Sequence, residues 1–168
     1  MSATVLSQDL LFMRAALEEA ARATSLGEVP IAAVLVHREA ALARSHNYRE
    51  TWQDPTAHAE LIAIRAGSQQ LGTWRLCDCT LYVTVEPCAM CLGAIILARI
   101  PRVVFGAWDP KGGACGSVVD LTREPRLNHR VSVIGGVLQK ESQALLREFF
   151  RGLRIDPTCN EARGEDPV

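Results

Sequence analysis

Thr80-Leu81-Tyr82-Val83-Thr84-Val85-Glu86-Pro87-Cys88-Ala89-Met90-Cys91 carries the chain from a strand into a helix. Thr80 to Val85 is an apolar, β-branched run broken only by its threonines, which reads as a strand covered on both faces. Pro87 opens the following helix, where its missing N–H is no loss. That helix runs to about Arg99 and is apolar nearly all round, with Met90, Leu92, Ala94, Ile95, Ile96, Leu97 and Ile100. A helix without a polar stripe is buried on every side. In a domain this small, one of those sides suits a subunit interface.

Upstream, Leu10, Met13, Leu17, Ala20 and Ala21 repeat at helical spacing over Ser7 to Leu26, with Gly27 as a stop. Val29 to Val36 reads as a second buried strand. A short turn at His37-Arg38-Glu39 leads to Ala40–Arg44, an antiparallel edge strand. Asn47 to Asp54 is a polar loop, and a helix follows Pro55 from about Thr56 to Gln70. Downstream, Arg102–Ala107 and Val131–Ile134 complete five strands, and a last helix spans about Gln139 to Leu153. Strands alternating with helices predict an α/β sandwich with a largely parallel sheet.

The 168 residues suit one domain. It is expected over residues 1–154, followed by a polar, disordered tail at residues 155–168 that has little to bury. Apolar content of 48% with 22% charged residues describes an ordinary globular chain. A net charge of −1 gives no global attraction for nucleic acid, so any such contact needs a local basic patch. No apolar run approaches the ~20 residues of a membrane span, and Met1 to Asp9 lacks the features of a secretory signal. A cytoplasmic location and reduced cysteines are therefore expected. Close cysteine pairs then read as metal ligands or as buried thiols.

Cys88 and Cys91 lie three apart, so on a helix they share a face. A helix N-terminus favours their thiolate forms. With His58 as a third ligand, two thiolates and an imidazole suit zinc. Three protein ligands leave one tetrahedral position for water, the mark of a catalytic rather than a structural site. Glu60, two residues beyond His58, is placed to move protons as general acid and base. Each motif alone is ambiguous, since Cys-x-x-Cys also marks redox pairs and buried structural pairs. Both opening helices, together, point to one zinc centre. Cys77 and Cys79 have no nearby His or Cys to complete a second ligand set and read as ordinary thiols. Cys115 and Cys159 have no assigned role.

His58-Ala59-Glu60 with Pro87-Cys88-x-x-Cys91 resembles the signature of the zinc nucleobase deaminases of the cytidine/deoxycytidylate deaminase superfamily. Further stretches narrow the likeness to the bacterial tRNA-specific adenosine deaminases. They include Glu28-Val29-Pro30, Asp54-Pro55-Thr56-Ala57, Arg102-Val103-Val104-Phe105-Gly106-Ala107, Asn128-His129-Arg130-Val131 and Phe149-Phe150-Arg151. The resemblance spans about Leu10 to Leu153. It implies a cytidine-deaminase-like three-layer sandwich, with a five-stranded mixed sheet between helices, acting as a homodimer. It implies one zinc per subunit on His58, Cys88 and Cys91, with Glu60 as proton shuttle. It also implies a target base held by Asn47, the backbone of Ala59 and the Val29-Pro30 segment. The implied reaction is hydrolytic deamination of the wobble adenosine of a tRNA anticodon stem-loop to inosine by zinc-bound hydroxide. Ala32 stands where the family usually has glycine, and the acidic tail departs from the family's basic one.

The zinc motifs alone leave other readings open, because free guanine and cytosine deaminases share them. A catalytically silent, zinc-stabilised RNA-binding subunit is a third reading, opposed by the presence of Glu60. Arg147, Arg151 and Arg154 lie at i, i+4 and i+7 beside Phe149 and Phe150, a pattern of cations and aromatic faces that suits single-stranded RNA. A solvated arginine face over core phenylalanines gives the same pattern. With the family resemblance, Asp109, Lys111 and Asn128 join them as anticodon-loop contacts.

Overall fold

The computed structural model describes residues 5–155, and the side chains of residues 5–153. Along the chain lie α1 (Ser7–Thr24), β1 (Ala32–His37), β2 (Ala40–His46), α2 (Arg49–Trp52) and α3 (Ala59–Leu71). They are followed by β3 (Cys79–Val85), α4 (Ala89–Leu97), β4 (Arg102–Ala107), β5 (Ser132–Ile134) and α5 (Gln139–Ile155). A single 3-10 turn, Leu121–Arg123, sits between β4 and β5. The five strands make one sheet in the order β2-β1-β3-β4-β5.

Successive residues of a strand point to opposite faces, and the central strands here are apolar on both. Ala33, Leu35, Leu81, Val83, Val103 and Phe105 pack on one face with Ala59 and Ala63 of α3 and Leu92 and Ile95 of α4. Val34, Val36, Tyr82, Val104 and Ile134 pack on the other with Phe12, Met13 and Ala16 of α1. Helices on both faces of the sheet give the three-layer sandwich. Ala32 is completely buried, so its methyl is accommodated.

The sheet is less parallel than the alternation of elements predicts. The pairings β3–β4 and β4–β5 are parallel, whereas β1–β2 and β1–β3 are antiparallel. The hairpin turn is tighter than expected. His37 still pairs with Ala40, and Arg38 and Glu39 alone turn the chain, at φ 46° and 70°. Positive φ at both central residues matches the strand twist.

Three other sequence expectations shift. The loop after Asn47 contains the one-turn helix α2. The next helix starts three residues late, at Ala59. On α1 the buried face runs through Asp9, Phe12, Met13, Ala16, Glu19, Ala20 and Ala23, leaving Leu10 and Leu11 exposed. Charged residues on the inner face hid it from a reading by hydropathy. The final helix reaches Ile155, the first residue of the expected tail, and residues 156–168 of that tail, with Cys159, lie outside the described residues.

Asp9 explains its own burial. Its carboxylate accepts both terminal nitrogens of Arg102 at 2.8 Å, the Tyr82 hydroxyl at 2.9 Å and the Leu6 N–H at 2.7 Å. One residue of α1 is thereby tied to β3 and β4. Burial alone pushes this carboxyl up, but the Arg102 guanidinium, the Leu6 N–H and the Tyr82 hydroxyl outweigh it and hold it below the usual aspartate value. Its contribution to stability is therefore whole above the unfolded value of about 3.9 and fades as pH falls through the lower folded one. Asp9→Asn should destabilise the protein by about 3 kcal/mol at pH 7, because Arg102 loses its partner. Urea unfolding of the two proteins measures this, and the gap between them should shrink below about pH 4.

Candidate metal centre and active site

His58 and Cys88 each occupy the residue just ahead of a helix, not the first turn expected from sequence. His58 precedes α3 with φ −79° and ψ 146°, and Cys88 precedes α4 with φ −72° and ψ 173°. Neither side chain caps its own helix. The first N–H of α3, that of Ala59, is instead satisfied from a distance by Asn47 Oδ1 at 3.0 Å. Ser45 Oγ donates to the Ala59 carbonyl at 2.6 Å. The end of β2 thus fixes the start of α3 and leaves the His58 imidazole free to point elsewhere.

It points at the sulfurs. His58 Nδ1 lies 3.5 Å from Cys91 Sγ and 3.8 Å from Cys88 Sγ, and all three atoms fall within 4.8 Å of one another. With ordinary zinc bond lengths, tetrahedral ligation sets nitrogen and sulfur ~3.6 Å apart and two sulfurs ~3.8 Å apart. The two observed nitrogen–sulfur separations match. Among the described residues this is the cluster that could hold a metal, and Glu60 is outside it.

The three ligand atoms perturb one another's affinity for protons. The Cys91 thiol, then the His58 imidazole, hold the Cys88 thiol down at about 3. The same contact, with burial and the nearby Glu60 carboxylate, pushes Cys91 up. Cys88 pushes His58 up. A dication held by these three atoms would let both sulfurs be thiolates. Glu60 is 3% exposed, and its Oε2 has no hydrogen-bond partner. Burial pushes its carboxyl upward. An orphaned buried oxygen beside the cluster suits a group that must take up a proton and give it away.

The other site candidates fall into two places. Asn47 is buried, Val29 half-buried and Pro30 buried. They lie at the sheet edge where β1 begins and β2 ends, the edge that also bears His58 and Cys88. Ala59 already spends its N–H on Asn47 and its carbonyl on Ser45, so a base touching that backbone must share it. Asp109 and Lys111 follow β4 at the same edge. Their loop is built, not loose: Lys111 N–H donates to Asp109 Oδ1 at 3.0 Å, and Ala114 N–H to the Pro87 carbonyl at 2.9 Å.

The last third of α5 runs beside the end of α1, where Phe149 and Leu153 line a groove with Ala21, Thr24 and Gly27. That places it near the same edge, on the opposite face of the sheet. Phe149 is half-buried and meets Phe150 edge-on, with ring centroids 5.4 Å apart. Phe150, Arg147 and Arg151 are exposed, and the side chain of Arg154 lies outside the described residues. Asn128 is elsewhere. It accepts from Arg99 at 2.6 Å, past the far end of α4, and a nine-residue helix is about 13 Å long.

Two features had no signal in the sequence. One is a stack of His46, Tyr48 and Trp52, with centroids 4.5 and 4.6 Å apart, that runs outward from the Asn47 segment. The other is the buried carboxylate of Glu86, which precedes Pro87 and gathers several loop N–H groups.

Fold and ligand set together define a deaminase, and the model of the MafB19-like deaminase family matches residues 7–154. The chain belongs to this family and, within it, to the tRNA-specific adenosine deaminases. It is 52% identical to the tRNA-specific adenosine deaminase of Bacillus subtilis, over 89% of this chain and 92% of that one. The enzyme of that name from Aquifex aeolicus is 46% identical over 85% and 94%. Among solved structures, a tRNA:A34 deaminase studied for A-to-I editing at the wobble position superposes with a TM-score of 0.78. It shares 46% identity and covers 81% of this chain and 99% of its own. A guanine deaminase from Nitrosomonas europaea superposes at 0.73 with 26% identity, over 87% of this chain and 86% of its own.

Ser45→Ala should cost about 1–3 kcal/mol, the price of leaving the buried Ala59 carbonyl without its hydroxyl donor. The urea midpoint measures the loss.

Proposed function

We propose that this protein hydrolyses the wobble adenosine of a tRNA anticodon stem-loop to inosine, releasing ammonia. The observation that carries the reading is the meeting of His58, Cys88 and Cys91 beside the unpartnered oxygen of Glu60, in a chain 52% identical to a tRNA-specific adenosine deaminase. His58 Nδ1 and the two sulfurs would hold one zinc per subunit, which would supply the Lewis acidity that makes water a nucleophile at neutral pH.

Glu60 carries the protons. It takes one from the attacking water and delivers it to N1 of the purine. It then takes the second from the new hydroxyl at C6 and delivers it to the departing amine. Burial raises this carboxyl's affinity for a proton, which suits a group that takes one up before giving it away. Asn47 spends its oxygen on Ala59 and keeps its amide NH₂ for the base, while Val29 and Pro30 wall the ring.

The flipped nucleotide belongs to a strand that must be held on either side. Asp109 and Lys111 serve on one face of the site edge; Phe149, Phe150 and Arg151, with Arg154 beyond the described side chains, serve on the other. Aromatic faces stack splayed bases, and arginine takes phosphates. The homodimer reading is supported by α4, which exposes Met90 and Leu97 around Gly93, where a side chain would meet nothing within 4 Å. A second copy covers that face. Asn128, in the groove with Gly93 and Leu97, then contributes across the subunit interface. No described helix is long and apolar enough to cross a membrane, and the cytoplasm is where such a substrate is found.

Incubation with an anticodon stem-loop carrying wobble adenosine should yield inosine, with free guanine and cytosine left intact. Turnover of a free base with the RNA untouched would select the free-base reading, and bound but unaltered RNA the silent subunit. Glu60→Ala should lower turnover at least 10²–10⁴-fold, the usual worth of a general acid and base. Its zinc content by elemental analysis should stay at one per subunit. Arg151→Ala should weaken stem-loop binding and reduce the steepness of its salt dependence by about one phosphate contact. Titrations across salt concentrations read both.

A further inference from the structure

Glu86 joins the end of β3 to Pro87 and Cys88, and only 3% of it is exposed. Its Oε2 accepts the Asp109 N–H at 3.0 Å and the Ser117 hydroxyl. Its Oε1 accepts the Cys115 N–H at 2.9 Å and the Ser117 N–H at 3.1 Å. All four donors belong to the segment 109–117, and no ion pair involving Glu86 occurs among the described residues. That segment contains Gly112, Gly113 and Gly116, so its own backbone preferences fix little. The carboxylate supplies what the glycines lack. At Gly113 a Cβ would fall 2.2 Å from Glu86 Oε2, so the loop lies directly on the carboxylate. Gly113 also bridges to Cys88. One carboxylate therefore clamps the segment bearing Asp109 and Lys111 against a metal ligand.

We infer that Glu86 is a positioning residue for RNA recognition: it sets the register between the metal centre and the loop that holds the substrate strand. The inference rests on the tRNA reading above for what the loop touches. Glu86 makes no contact with the reacting atoms. Its work is to keep Asp109 and Lys111 at a fixed distance from Cys88, so that a strand gripped by the loop presents its base to the zinc. Removing the clamp frees the loop, so the substrate pays for ordering it on binding.

The test is Glu86→Gln, in which an amide NH₂ faces N–H donors and the clamp loses part of its acceptor set. KM for the stem-loop should rise about tenfold, the scale of one lost hydrogen bond to a carboxylate. Meanwhile kcat should stay within about threefold and zinc at one per subunit. Amide exchange at Asp109, Cys115 and Ser117 should speed up. Glu86→Asp, which keeps the carboxylate, should recover part of the loss. Because the effect runs through the loop, Glu86→Gln should add little in a Lys111→Ala background. Ser117→Ala, which removes one donor and spares the carboxylate, should move KM in the same direction by less, and it stands in if Glu86→Gln does not fold. The inference is overturned if kcat and zinc fall while KM holds, if the Glu86 and Lys111 effects multiply independently, or if amide exchange is unchanged. Wild-type protein that leaves the stem-loop unaltered would instead overturn the tRNA reading, and the exchange measurement would still judge the clamp.

Discussion

The structure depends on two helices beginning at one place. His58 Nδ1 meets Cys91 Sγ at 3.5 Å only because the start of α3 stands beside the start of α4. Strand direction enforces this. β1 is antiparallel to both β2 and β3, so β2 and β3 run the same way and end at the same sheet edge. α3 follows β2, and α4 follows β3, so both helices open there. β1, running the other way, begins at that edge and brings Val29 and Pro30 with it. β4, parallel to β3, ends there and delivers Asp109. One antiparallel strand thus gathers segments from four places in the chain. A wholly parallel sheet would have sent the start of β1 to the far edge.

That topology also shows why some of the chemistry was legible in the sequence and some was not. Cys88 and Cys91 are local partners, three residues apart at a helix start, and their spacing marks them as ligand candidates without any long-range partner being known. His58 could be joined to them from residue type and helix position. The strand cores were equally plain, because each is apolar on both faces, although the first begins at Ala32 and not at Val29. What failed was whatever needed a long-range partner. The direction of β1 is not written in its composition. The inner face of α1 carries Asp9 and Glu19, whose burial makes sense only once Arg102 and His46 are seen opposite them. α2 is a single turn in a polar loop, with its Thr51 N–H held by the distant Glu28.

Between the apolar layers and solvent, this edge is assembled by buried polar side chains that each hold a distant backbone. Thr84 Oγ1 accepts the Ala32 N–H, Glu28 that of Thr51, Asn47 that of Ala59, and Glu86 those of Asp109, Cys115 and Ser117. A buried acceptor left unused is costly, so each such bond fixes its segment more firmly than an exposed one would. Loops at the working edge of a sheet are thereby given the definition that strands have by default.

Against that background Glu60 and Glu86 separate by environment alone. Both are 3% exposed, and both stand two residues from a metal-ligand candidate. Glu86 is met by four donors, and a carboxylate so enclosed has no oxygen to offer a moving proton. Glu60 keeps Oε2 without a hydrogen-bond partner, and burial raises its affinity for a proton. A proton carrier must change partners twice in one turnover, which requires an oxygen the fold has not already spent. A clamp requires the opposite. The same side chain at equal burial therefore suits a proton carrier in one place and a clamp in the other, and the hydrogen-bond inventory gives the physical ground for the difference.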